Sequence, residues 1–171
     1  AWWGVGLCPG RSAAGPPGGL RLAPFEVDGT PPSGWNMAYD PGTNVWGLGL
    51  RARGVVLMGA GQPSVLCALD WIGIGNEGFE VFRERLAAAA GTVPARVAVH
   101  TLHQHDAPDC DFSAARILKN AGVEPRSYEG SFARESLRRF DVSIRASVGR
   151  AVPVMPVGRG QPQVHRFASS R

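Results

Sequence analysis

Three of the protein's four histidines fall in one short stretch, Val99-His100-Thr101-Leu102-His103-Gln104-His105-Asp106-Ala107-Pro108, and Asp109, Cys110 and Asp111 follow directly. Imidazole, carboxylate and thiolate are the groups that bind first-row metals. On an extended backbone, residues two apart point the same way, so His103 and His105 are expected to aim their rings at one place. His100 stands at an odd separation from both and is expected on the opposite face, against packed structure. Catalytic zinc usually takes three protein ligands and a water, so a His-x-His pair is part of a site and not a whole one. The alternative is that these are hydrogen-bonded loop histidines, but their density favours metal. Asp106 or Asp109 is expected to accept the free ring N–H of one histidine, as carboxylates behind metal-bound histidines do.

These residues need a scaffold, and the flanking pattern supplies one. Arg96-Val97-Ala98-Val99 reads as a short buried strand that ends at the histidines. A helix precedes it, with Asn76 as the expected N-cap, Glu77 and Glu80 near the positive end of its dipole, and Phe79, Phe82, Leu86 and Ala89 on one face. Gly91 closes that helix. Upstream, Leu48 to Met58 and Ser64 to Asp70 form a hairpin around Gly59-Ala60-Gly61-Gln62-Pro63. Val65-Leu66-Cys67-Ala68-Leu69 is apolar on both faces, which places it centrally in a covered sheet. The order strand, helix, strand puts the histidines at a carboxyl edge, where open α/β sheets bind ligands. Leu20 to Val27 is a further strand, at an edge because of Pro24. Asp111 or Ser113 should cap a short helix ending near Gly122. Ser131 should begin a longer one, with Leu137, Phe140, Ile144 and Ser147 or Val148 on one face and Gly149 after it. Two last strands are expected at Pro153 to Val157 and Gln163 to Ala168. The fold class is α/β, a mixed β-sheet covered by helices.

Composition bounds the rest. With 44% hydrophobic and 19% charged residues the chain is globular. Residues 1–19 read as a leader or a disordered N-terminus bounded by Pro16-Pro17-Gly18-Gly19, and residues 20–171 as part of one domain. The net charge of +4 conceals an asymmetry, because acids outnumber bases up to Phe112 and bases outnumber acids beyond it. Those arginines are scattered along an amphipathic helix with few aromatics between them. They suit a solvated face, and no nucleic-acid partner is expected; contact with a membrane surface is the alternative use for them. Cys8, Cys67 and Cys110 lack metal-type spacing. Cys67 reads as a small buried hydrophobe, and only Cys110, among acids and histidines, has a chemically interesting setting. No apolar run reaches the length of a membrane span.

Several stretches together resemble one family. Phe25-Glu26-Val27-Asp28-Gly29-Thr30-Pro31-Pro32 is similar to the "vDvTPP" opening of the neutral/alkaline non-lysosomal ceramidase family, N-terminal domain, with Gly29 where a β-branched residue is usual. Arg51-Ala52-Arg53-Gly54-Val55-Val56-Leu57 resembles the family's "l-A-R-g-v-v-l" strand. Leu102-His103-Gln104-His105-Asp106-Ala107-Pro108 resembles its "T-H-T-H-S-G-P" loop, in the form "H-T-L-H-Q-H-D-A-P" written by a bacterial ceramidase-like branch. The resemblance runs over about residues 25–171. It implies a zinc amidase that cleaves the N-acyl bond of ceramide or a related amide, acting on a small-molecule lipid or amide and secreted, periplasmic or at the cell surface. It implies His103 as a zinc ligand and His105 as the residue that contacts substrate or the developing charge. The family's other ligands, a His, a Glu and a Tyr, come later than Arg171. The expectation is therefore an N-terminal part of a larger catalytic domain, inactive alone, with no obligate protein partner. His165 is not equated with a missing ligand, and Ser169-Ser170-Arg171 has Ser where the family has Asn before Arg. Gln104 and Asp106 depart from the family loop next to the reaction centre, so the substrate is less firmly implied than the chemistry. A metal-dependent hydrolase of the amidohydrolase barrel type and a non-catalytic lipid-binding module are the other two readings.

Overall fold

The computed structural model describes residues 19–39 and 47–154. The expected leader, His165 and the strand at Gln163 to Ala168 lie outside the described residues. Strand β1 (Arg21–Asp28) alternates as its sequence does, with Ala23, Phe25 and Val27 buried and Pro24, Glu26 and Asp28 exposed. Strands β2 (Arg51–Met58) and β3 (Ser64–Leu69) form the expected antiparallel hairpin, Val56 opposite Val65 and Ala52 opposite Leu69. Helix α1 (Asn76–Ala90) carries the chain across to β5 (Val97–Thr101), which pairs parallel with β3. Two short strands, β4 (Gly73–Ile74) and β6 (Asp109–Cys110), make a small parallel sheet of their own. Helices α2 (Phe112–Asn120) and α3 (Ser131–Val148) follow, and β7 (Val152–Pro153) closes on β1. The main sheet has the order β5-β3-β2-β1-β7, mixed in direction, with the hairpin central.

Helices α1 and α3 pack on one face of this sheet. Aromatic rings run through the contact. Phe25 of β1 meets Phe140 of α3 edge-on with centroids 6.3 Å apart, Phe140 meets Phe82 of α1 at 6.0 Å, and Phe82 meets Trp71 at 5.9 Å. Edge-to-face pairs of this kind add to the burial that drives folding. The Trp71 indole N–H is satisfied by the Gly29 carbonyl at 3.0 Å, which ties the end of β1 to the segment after β3.

Five local expectations change. Among the described residues the helices cover one face: on the other, Leu66 is 47% exposed although Cys67 beside it in sequence is 2% exposed. His100 lies on that open face and is exposed, not packed, because the strand's period of two turns it away from the helices. Gly75, not Asn76, is the residue that caps α1; Asn76 is the first residue of the helix, with a left-handed φ of 43°, and its amide donates to Asp111 instead. The strand expected from Pro153 begins one residue earlier and pairs over Val152 and Pro153 only, 155–157 being outside the described residues. Strand β1 is not the edge strand expected from Pro24, since β7 lies outside it, although among the described residues β7 pairs with Arg21 and Leu22 and does not reach Pro24.

Candidate functional site

The site is built where β5 runs out. The backbone N–H of Leu102 still bonds Leu69 O at 2.8 Å, and that of His103 bonds Trp71 O at 3.1 Å, so the loop leaves along the segment following β3. At His103 the chain turns into the left-handed region, φ 59°. Extended backbone therefore does not persist through Gln104. The two rings nevertheless meet, with centroids 5.2 Å apart and planes at 77°. A turn at His103, not strand periodicity, brings them together.

His103 Nδ1 lies 3.0 Å from Ile72 O. A carbonyl oxygen only accepts, so this contact requires a proton on Nδ1, and in the neutral ring the lone pair is then on Nε2. Thr101 Oγ1 donates to the same carbonyl at 3.2 Å. A backbone oxygen thus does what Asp106 or Asp109 was expected to do. Asp106 uses its backbone N–H on Gln104 Oε1 at 3.3 Å. Asp109 is half-buried in β6 against Gly73 of β4, where an added Cβ would stand 2.9 Å from Asp109 Oδ1. Burial pushes its carboxyl above the usual range, while the Cys110 backbone N–H, the Tyr128 phenol and nearby His103 oppose that. Among the described residues the ring of His105 makes no hydrogen bond; its neighbours are rings.

Two residues that sequence reasoning passed over complete the surroundings. Tyr39 lies against His105, centroids 5.2 Å apart and planes at 56°. Its loop is fastened to the histidine loop by Ala38 N–H to Ala107 O at 3.1 Å, and the neighbouring Met37 is buried in the core. Tyr128, from the short 3-10 turn Arg126–Tyr128, faces Asp109, whose charge raises the phenol above its ordinary value with help from burial and from Asp111 and Tyr39. The protein has only 2 tyrosines, and both are here. That scarcity was the one sequence signal for them.

Cys110 proves structural. It is fully buried beneath α1, where a Cβ on Gly78 would lie 3.1 Å from its Sγ, and burial, reinforced by Asp109 and Asp111, pushes its thiol up to about 12. A thiol held protonated in this way is a poor nucleophile. Asp111 is likewise occupied. It caps α2 by accepting from the backbone N–H groups of Ser113 and Ala114, each at 3.0 Å.

The donor set has the chemistry zinc requires but not the number. Among the described residues no three His, Cys, Asp or Glu side chains are grouped so as to hold a metal ion. His103 and His105 are two imidazoles side by side, and two such donors do not by themselves make a metal centre.

No protein-family model matches the sequence, and no curated protein does. Solved structures do match. The neutral ceramidase from Pseudomonas aeruginosa aligns with a TM-score of 0.53 at 18% identity, covering 79% of this chain and 22% of that one. A ceramidase complexed with C2 aligns with a TM-score of 0.52 at the same identity and the same coverage. The chain thus spans about a fifth of the length of the enzymes it matches. At this identity the likeness is one of fold, and function has to be argued from the site. The mixed sheet and its helices together have the fold of the matched portion of bacterial neutral ceramidase.

Proposed function

We propose that this chain is the N-terminal part of a zinc-dependent amide hydrolase of the ceramidase kind, cleaving the N-acyl bond of ceramide or of a related amide. The observation that carries this reading is the convergence of His103 and His105 at the carboxyl edge of the sheet, with the lone pair of neutral His103 on Nε2. His103 is the metal ligand and His105 the residue that meets the substrate carbonyl or the charge that develops on it. When bound, the metal would polarise the carbonyl and activate water. The remaining ligands come from polypeptide beyond the described residues, so the chain alone should bind zinc weakly and turn over little. The fold shared with neutral ceramidase supports the reaction class more strongly than the substrate, since Gln104 and Asp106 differ from the family's residues beside the reacting bond.

The test is chelation. The gene product carrying this chain is assayed on a fluorescent N-acylsphingosine and on a simple N-acyl amide before and after removal of metal. Hydrolysis lost on chelation and restored by zinc is expected. Hydrolysis indifferent to chelation, or absent on every N-acyl amide offered, would overturn the proposal.

A further inference from the structure

His105 has an orientation to explain. It lies in an exposed loop, and among the described residues no hydrogen bond fixes its ring. Its two described ring contacts are with His103 and with Tyr39, each with centroids at 5.2 Å and with planes at 77° and 56°. His103 is itself held by Ile72 O, so it offers a fixed wall. Tyr39 is 65% exposed, an unusual position for a ring that contributes little to the core. The backbone bond from Ala38 to Ala107 and the buried Met37 keep Tyr39 in register with the loop that carries His105.

We infer that Tyr39 is a positioning residue for His105, holding its imidazole by the packing of the phenol ring against it, with His103 as the second contact. This rests on the amidase reading for its consequence in turnover, but not for the packing itself. A ring in contact with two neighbouring rings has fewer rotamers left to it, so the group is in place before substrate arrives. The phenol hydroxyl is not needed for this, whereas the ring is.

The experiment has two arms, so that failure of the amidase reading and failure of this inference look different. In the first, ring signals of the histidines are followed by NMR in the chain, with Tyr39→Leu and Tyr39→Phe beside the wild type. Tyr39 is exposed, so folding is not at stake. Tyr39→Leu should move the His105 ring resonances through loss of the neighbouring ring current and leave His100 unchanged, while Tyr39→Phe should keep the His105 signals near the wild type. His105 signals that ignore Tyr39→Leu would overturn the inference whatever the chain hydrolyses. In the second arm, N-acyl amide hydrolysis is measured in the gene product. Tyr39→Leu should lower kcat about tenfold with little change in KM, because misplacing a reacting group acts on the chemical step. The same substitution in a His105→Ala background should cost nothing further. An equal loss in both backgrounds would show that Tyr39 acts other than through His105 and would overturn the inference.

Discussion

The tautomer of His103 is decided by one carbonyl. Ile72 O requires a proton on Nδ1, and the left-handed turn at His103 swings its ring to His105. Sequence spacing made the pair legible, but not the turn, since φ 59° at a histidine leaves no mark in the pattern. Nor did it reveal Tyr39 or Tyr128, which reach the site through tertiary packing from far along the chain. Asp111 has a more local part. Burial would raise its carboxyl, but the hydrogen bonds from Ser113, Ala114 and Asn76 outweigh that and hold it below the ordinary value of 3.8. A depressed carboxyl stabilises the fold above its unfolded value, and that contribution is lost as pH falls through the lowered folded value. Asp111→Ala should therefore cost about 1 kcal/mol or more at neutral pH, with a smaller difference from wild type in strong acid. Asp111→Asn should keep most of the cap and lose the pH dependence; urea titrations at both pH values check this. The thiols of Cys67 and Cys110 are both pushed up to about 12, chiefly by burial. Both should resist alkylation at mildly alkaline pH in the native protein and label readily in denaturant, as read by peptide mapping.

The elements that present the site were readable because each repeats a short pattern. The central hairpin, α1 closing at Gly91 (φ 69°), and α2 and α3 all follow from periodicity and capping signals. The small β4–β6 pair was not readable. Two-residue strands have no period to detect, and this pair exists because the segment after β3 and the loop after β5 run side by side. The face of the sheet that the described residues leave uncovered was also missed, since apolar residues on both sides of β3 say what wants covering and not what covers it. Gly54 shows how tightly the strands are set. It stands opposite Phe25 in register, and a Cβ there would lie 2.3 Å from the Phe25 ring and 2.5 Å from the backbone oxygen of Leu66. The ring tip can move but the backbone cannot move cheaply, so Gly54→Ala should cost about 2 kcal/mol or more. Chemical denaturation decides it, and a neutral substitution would mean that β1, β2 and β3 are packed more loosely than this register requires.

At the scale of the molecule, one helical layer on one sheet places a pair of imidazoles at a carboxyl edge, and the same fold occurs in neutral ceramidase. The basic C-terminal third does less than its charge suggests. Arg138, Arg139 and Arg145 of α3 pair with Glu135 and Asp141 one turn away, which suits a solvated helix face. The central claim is that the His103–His105 pair is the metal-facing part of an N-acyl amidase. Its most direct measurement is zinc content and N-acyl hydrolysis on the same preparations of the gene product, as wild type, His103→Ala and His105→Ala. His103→Ala should lose both zinc and activity. His105→Ala should keep more zinc than His103→Ala while its turnover falls by about a hundredfold, the scale for losing a group that contacts the developing charge. Full zinc and full activity in His103→Ala would contradict the account.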